Sequence, residues 1–151
     1  MPATSVPQEI KNLYKIIPLK ELRRTPGVTF DYLSNKELPQ IDGIDRVIHT
    51  TGAISPGPVG DVERPWYMHH HQADNLMVLH GERFVEIYTR EHGKIVKVDV
   101  TPDRITIDGE LAYDGPAMLV WPVNVFHRIR SCPVKGSASI NFAVRSPEFS
   151  I

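Results

Sequence analysis

The chain is short of cysteine, of net charge and of long apolar runs, and each shortage removes a class of protein. Cys132 is the sole thiol in 151 residues, which excludes an internal disulfide framework and suits a reducing compartment. Lysine and arginine number 17 against 18 aspartates and glutamates, a net charge of −1. That balance leaves no electrostatic footprint for DNA, RNA or an acidic membrane surface as partner. No apolar stretch approaches the roughly 20 residues that a membrane helix needs. The first residues lack the basic-then-apolar layout of a secretion signal, so a soluble, cytoplasmic protein is expected. There is no solenoid repeat, no low-complexity tract, no long helical pattern and no helix pair of the DNA-reading kind.

Turn residues are what the chain has in quantity: 13 prolines and 10 glycines, scattered singly. Between them lie short runs rich in β-branched and aromatic residues, the pattern of many strands joined by turns. Residues 1–12 read as a loose arm. Residues 13–19 have strand content, and Pro18 argues for an edge position. Residues 20–24 suggest a helical turn stopped by Pro26-Gly27, and residues 28–33 a weak strand. A strand over 46–51 precedes the longest loop, 52–65, which delivers the chain into Trp66-Tyr67-Met68 and three consecutive histidines. Further strands are read at 75–79, 82–89, 95–100, 117–121, 125–130 and 137–144. Asp108-Gly109, between 104–107 and 110–113, is the strongest hairpin signal, because it supplies the positive φ angles of a type I′ turn. The expectation is one all-β domain, a sandwich or barrel of jelly-roll type over residues 26–151. Residues 1–25 are expected to form an N-terminal arm or edge strand outside its core.

Chemistry concentrates in His69-His70-His71 and in His127. On a strand, side chains alternate with period two, so His69 and His71 would point one way and His70 the other. An unbroken strand over 66–80 would add Ala73, Asn75, Met77 and Leu79 to the face of His69 and His71. His127 shares its face with Val125 and Ile129, and an imidazole buried there needs a partner for its ring nitrogens. Neutral imidazoles converging from two strands suit a transition metal.

The same residues resemble the cupin superfamily. Its first motif runs glycine, His-x-His, glutamate, glycine, and here Gly60, His69, His71, Asn75 and Gly81 fall in that order. Its second runs glycine, Pro-x-Gly-x-x-His, asparagine, and here Gly115, Pro122, Asn124, His127 and Ser131 take those places. Together the motifs span residues 60–131, nearly half the chain. The resemblance implies an antiparallel double-stranded β-barrel (the cupin jelly roll), a homodimer formed through an edge strand, and a mononuclear divalent metal held by His69, His71 and His127. The ions that the resemblance implies are Fe, Zn, Mn or Ni. Asn75 stands where the family has glutamate, with Asp74 one residue before it. Asn75 can coordinate through its amide oxygen or hold a metal-bound water, or a bulge can turn Asp74 inward. The favoured reading is three histidines plus water, which leaves the ion strongly Lewis acidic.

Candidate substrate-pocket residues are Trp66, Tyr67, Met77, Arg83 and Tyr88. Arg83 has the planar fork that binds carboxylates, although an exposed charge is the plainer reading. His49, His80 and His92 are expected to be structural or surface residues. The main functional reading is a metal-dependent enzyme (isomerase, lyase or dioxygenase) acting on a small polar substrate, with its catalytic residues unassigned. One alternative resembles the metal-independent sugar-nucleotide epimerases and ketoisomerases that share the barrel. There His71 would be the base and Tyr88 or Tyr113 the acid, against which the arginines look dispersed. A second alternative is a small-ligand-binding cupin without turnover.

Overall fold

Turn-forming residues set where each strand stops. Asp108 and Gly109 both hold positive φ, at 50° and 84°, as the expected type I′ hairpin requires. The computed structural model describes residues 6–149. In chain order its strands are β1 (Glu9–Ile10), β2 (Tyr14–Pro18), β3 (Lys20–Thr25), β4 (Val28–Tyr32), β5 (Gly43–His49), β6 (Ile54–Ser55) and β7 (Gln72–Gly81). They continue with β8 (Arg83–Tyr88), β9 (Val96–Thr101), β10 (Arg104–Ile107), β11 (Glu110–Asp114), β12 (Ala117–Trp121), β13 (Phe126–Ser131) and β14 (Ser137–Arg145). No helix occurs among the described residues.

Two six-stranded sheets result, with orders β1-β2-β12-β7-β14-β5 and β11-β10-β9-β8-β13-β6. The paired strands in both are antiparallel. Hydrogen bonds do not close them into one continuous barrel among the described residues, so the jelly roll is an open double sheet. Alternation supplies the core between them. Leu76 and Val78 of β7 and Leu119 and Trp121 of β12 pack with Val85 and Ile87 of β8, Val98 and Val100 of β9, and Ile129 of β13. Each such side chain, fully withdrawn from water, contributes about 1.5–3 kcal/mol.

Three expectations need correcting. Residues 20–24 form β3 and not a helical turn: Glu21, Leu22 and Arg24 favour helix, but so short a segment cannot repay helix nucleation. Pro26-Gly27, with Gly27 at φ 77°, folds β3 back on β4 as an exposed hairpin outside both sheets. The arm is also more deeply integrated than expected. Residues 1–5 lie outside the described residues, yet Val6, Leu13, Tyr14 and Ile16 belong to the main core. The β2 strand pairs with β12 on one side, and β1 covers only its first half. Pro18, which has no N–H to offer, thus lies at an open edge.

The third correction decides the site. The strand expected over 66–80 begins only at Gln72, so one alternation does not run through the histidines. Gln72, Asp74, Leu76 and Val78 face the second sheet. Asn75 and Met77 face outward, where Met77 packs on a smaller cluster of Ile17, Leu38 and Met118. Gly81 ends β7 at φ 75°, and a Cβ there would collide with the backbone of Gly136. That explains glycine at this point of the first motif.

Candidate functional site

A cavity of about 210 Å³ opens between the sheets, lined by Tyr67, His69, Asp74, Arg83, Trp121 and His127 among others. Backbone bonds bring its two histidine stretches together. Tyr67 and His127 form an isolated antiparallel bridge, N–H to carbonyl at 2.8 and 2.9 Å. The amide of Asn124 donates to the His69 carbonyl at 2.8 Å. Asn124 sits at φ 66°, a left-handed conformation that asparagine tolerates, at the place where the second motif has glycine.

Asp74 organises the chemistry. Its Oδ1 accepts from Gln72 Nε2 at 2.7 Å and from Asn141 Nδ2 at 2.8 Å, and its Oδ2 accepts from the Trp121 indole at 3.0 Å. Three donors thus converge on one buried carboxyl. Oδ2 also lies 3.7 Å from His127 Nε2 and 3.9 Å from His69 Nε2. His127 is 4% exposed, and its Nδ1 lies 3.0 Å from the Val125 carbonyl. The ring proton belongs on that nitrogen, so Nε2 turns a lone pair toward the cavity. Burial above all, with His69 as a lesser cause, lowers the His127 pKa against the opposing effects of the Val125 bond and Asp74. The ring is therefore neutral at neutral pH, with Nε2 open to accept a proton. His69 is half-buried at the rim, its ring 5.0 Å from that of His127 and stacked on Tyr67 at 6.1 Å. The Tyr67 hydroxyl sits 3.1 Å from Ser55 Oγ.

The expected site residues divide accordingly. His69 and His127 meet, and Asp74 is the carboxylate that joins them. It turns inward because β7 starts at Gln72, not through a bulge near it. His71 stands apart: it is exposed, with Nδ1 3.2 Å from Ser146 Oγ. Asn75 is spent on the other face, where its Nδ2 donates to the Phe142 carbonyl at 2.7 Å. Trp66 and Tyr88 line a separate outer cavity with Arg90, Ile95 and Phe126, and Met77 lies in the outer cluster. Of the five proposed pocket residues, Tyr67 and Arg83 line the inner cavity. Arg83 is buried, not the exposed charge of the plainer reading. His49, expected to be structural or on the surface, and Trp121, expected to be a core or rim aromatic, both line the cavity. Trp121 stood next to Pro122 of the second motif, a signal that was there to use.

His49 has a measurable consequence. Its Nδ1 is 2.7 Å from Ser131 Oγ. Burial first, and the Arg83 cation second, push its pKa from 6.5 down to about 4. The unfolded chain then binds more protons than the folded chain between those values. The stability this imidazole contributes is whole above pH 6.5 and is lost as pH falls through about 4. His127, lowered in the same direction, adds to the loss. Thermal midpoints should drop on acidification across that window, and His49→Gln should flatten the drop. An unchanged profile in His49→Gln would assign the effect to other groups.

Known structures bear on the fold. No family profile matches the chain, and no curated protein matches it by sequence. Solved structures do. The WlaRB TDP-quinovose 3,4-ketoisomerase from Campylobacter jejuni aligns over 94% of this chain and 89% of its own, at 17% identity and a TM-score of 0.63. QdtA, a sugar 3,4-ketoisomerase from Thermoanaerobacterium thermosaccharolyticum solved with TDP, covers 93% and 85% at 11% identity and a TM-score of 0.63. A dTDP sugar isomerase from Desulfovibrio desulfuricans G20 covers 91% and 89% at 13% identity and a TM-score of 0.60. At these identities the likeness is one of fold. With two antiparallel sheets and both histidine stretches meeting between them, the chain shares the fold of these 3,4-ketoisomerases, in keeping with the jelly roll expected from the cupin resemblance.

Proposed function

We propose that this chain is an isomerase that moves a proton between adjacent carbons of a small keto–hydroxy substrate. The observation that carries the proposal is the buried, neutral His127, with Nε2 turned into the cavity beside Asp74 and His69. The reaction needs a base to take the proton from the carbon next to the carbonyl and an acid to protonate the oxygen. An enediol results, and returning the proton to the neighbouring carbon while the hydroxyl on the first carbon gives up its own proton to a base completes the shift. His127 is the candidate base, with Asp74 stabilising the imidazolium as it forms. His69 and the Tyr67 hydroxyl are the candidate acids at the rim. This assignment replaces His71, Tyr88 and Tyr113, none of which lines the inner cavity. The shared fold with solved keto-sugar isomerases supports the reading. The test is proton NMR in deuterium oxide with TDP-4-keto-6-deoxyglucose and a panel of free keto–hydroxy sugars and acids. Deuterium should enter at the carbon beside the carbonyl of at least one. No incorporation anywhere in the panel sinks the proposal.

A metal-assisted version has its own supporting observation. Ligand atoms of His69, Asp74 and His127 lie within 4.8 Å of one another, the two-histidine, one-carboxylate set that divalent transition metals take. The residues fit such an ion: Nε2 of His127 and Oδ2 of Asp74 are acceptors facing each other, and the Val125 carbonyl orients the ring from behind. Bound there, a metal would polarise the substrate carbonyl as a Lewis acid. Mass spectrometry on tag-free protein separates the two readings. About one metal per chain, with deuterium exchange abolished by chelation, selects the metal-assisted version. Trace metal with undiminished exchange selects the histidines alone.

A further inference from the structure

Arg83 occupies a place that isomerase chemistry by itself does not explain. It opens β8 pointing inward, is 1% exposed, and is the largest fully buried side chain among the described residues. Its Nε–H donates to Ser137 Oγ at 2.7 Å and its Nη2 to the Val47 carbonyl at 3.1 Å. Both acceptors are neutral. Nη1 has no partner, and no carboxylate lies within ion-pair distance, among the described residues. Taking a guanidinium out of water without a counter-charge carries a heavy desolvation penalty. Its neighbour His49 stays neutral beside it, so the local charge is positive and uncompensated.

The guanidinium lines the same cavity as the catalytic cluster, toward its other end. Arg83 pairs with Ser131, and His127 lies four residues back along β13, about 13 Å at the rise of a strand. Val47, Leu76 and Ile129 line the cavity as well. Asp74 is the one carboxylate lining it, and its oxygens are taken by Gln72, Asn141 and Trp121. The arrangement is a long slot with a proton-handling end, apolar walls and a bare cation.

We infer that Arg83 is a carboxylate-binding site and that the substrate is a small keto–hydroxy acid, not a neutral sugar. A carboxylate accepting from the unpartnered Nη1 would supply the missing negative charge. The inference rests on the cavity being the substrate site. It also fits the size, since about 210 Å³ falls below the roughly 300–1,000 Å³ of pockets that hold drug-sized ligands. The remaining basic groups of this sheet face elsewhere. Arg128 lies on its outer face, paired with Glu86 at 2.7 Å and stacked 4.1 Å over Trp66, and Arg130 stacks on Phe84.

The test reads binding without turnover, so a failure of the isomerase reading stays distinguishable from a failure here. Isothermal titration compares D-glucuronate, 2-oxoglutarate and pyruvate with their methyl esters. At least one acid should bind about tenfold more tightly than its ester, and Arg83→Gln should reduce that preference to near unity. Acid and ester binding alike, or no acid binding at millimolar concentration, overturns the inference. So does a folded Arg83→Gln that keeps the preference. Should Arg83→Gln not fold, the Nε–H resonance of Arg83 in the wild-type chain decides. It must move with the acid and stay still with the ester; a resonance unmoved by any acid overturns the inference.

Discussion

With His127 replaced by glutamine, deuterium exchange into the substrate should fall by about 10²–10⁴, the usual worth of a positioned general base. The fold should survive, because a neutral amide of similar reach takes the place of a neutral ring. His127 is held by one bond, from Nδ1 to the Val125 carbonyl, which the glutamine amide can also make. What glutamine lacks is a basic nitrogen at Nε2. The wild-type rate should hold on mild acidification and fall only below the ordinary histidine range, because burial lowers the pKa of this ring. Exchange measured at fixed substrate, alongside a thermal melt of each protein, separates lost chemistry from lost structure. A folded His127→Gln that exchanges at the wild-type rate moves the base to another residue and ends the assignment made here.

The fold was open to reading because its signals are local. Asp108-Gly109 fixes a hairpin through two backbone angles, and alternation over residues 83–88 and 126–131 is undisturbed in β8 and β13. Reading failed where local preference and tertiary context part. Residues 20–24 are helix-favouring side chains in a hairpin, and residues 13–17 look like an arm yet carry core leucine, tyrosine and isoleucine. The site was half legible. His69 and His127 belong to motifs whose spacing survives, and Asp74 was among the options weighed. What could not be seen was the onset of β7. Alternation assigns faces only once the first residue of a strand is known, and a strand starting at Gln72 exchanges the roles of Asp74 and Asn75. His71 and Met77 left the pocket by the same shift. Arg83 was among the candidate pocket residues, but its burial was hidden for another reason. An inward arginine on an otherwise apolar strand face contradicts the ordinary preference of charged residues for water, and such contradictions gather at functional sites.

Asp74→Asn should be the most damaging conservative change to the fold, and its cost can be divided by partner. The carboxylate offers acceptors to Gln72, Asn141 and Trp121 together. Asparagine keeps one oxygen and turns an amide N–H₂ toward the remaining donor. If the oxygen stays with Gln72 and Asn141, the stranded donor is the Trp121 indole, 3% exposed. Two buried donors then face each other at a cost of about 1–3 kcal/mol for the unsatisfied group, beyond the lost charge-assisted bond. Urea denaturation should record this as a lower midpoint with an unchanged slope. Trp121→Phe removes the indole donor and keeps an aromatic ring in the core, so Asp74→Asn should cost less in that background. A coupling of about 0.5–3 kcal/mol is expected for groups in direct contact. Additive losses would mean that the Trp121–Asp74 bond carries no stability of its own. The same substitution should also slow deuterium exchange, since an amide cannot balance the charge that His127 acquires when it takes a proton. A folded Asp74→Asn that exchanges at full rate would leave Asp74 a structural anchor and would separate the architecture of the cavity from its chemistry.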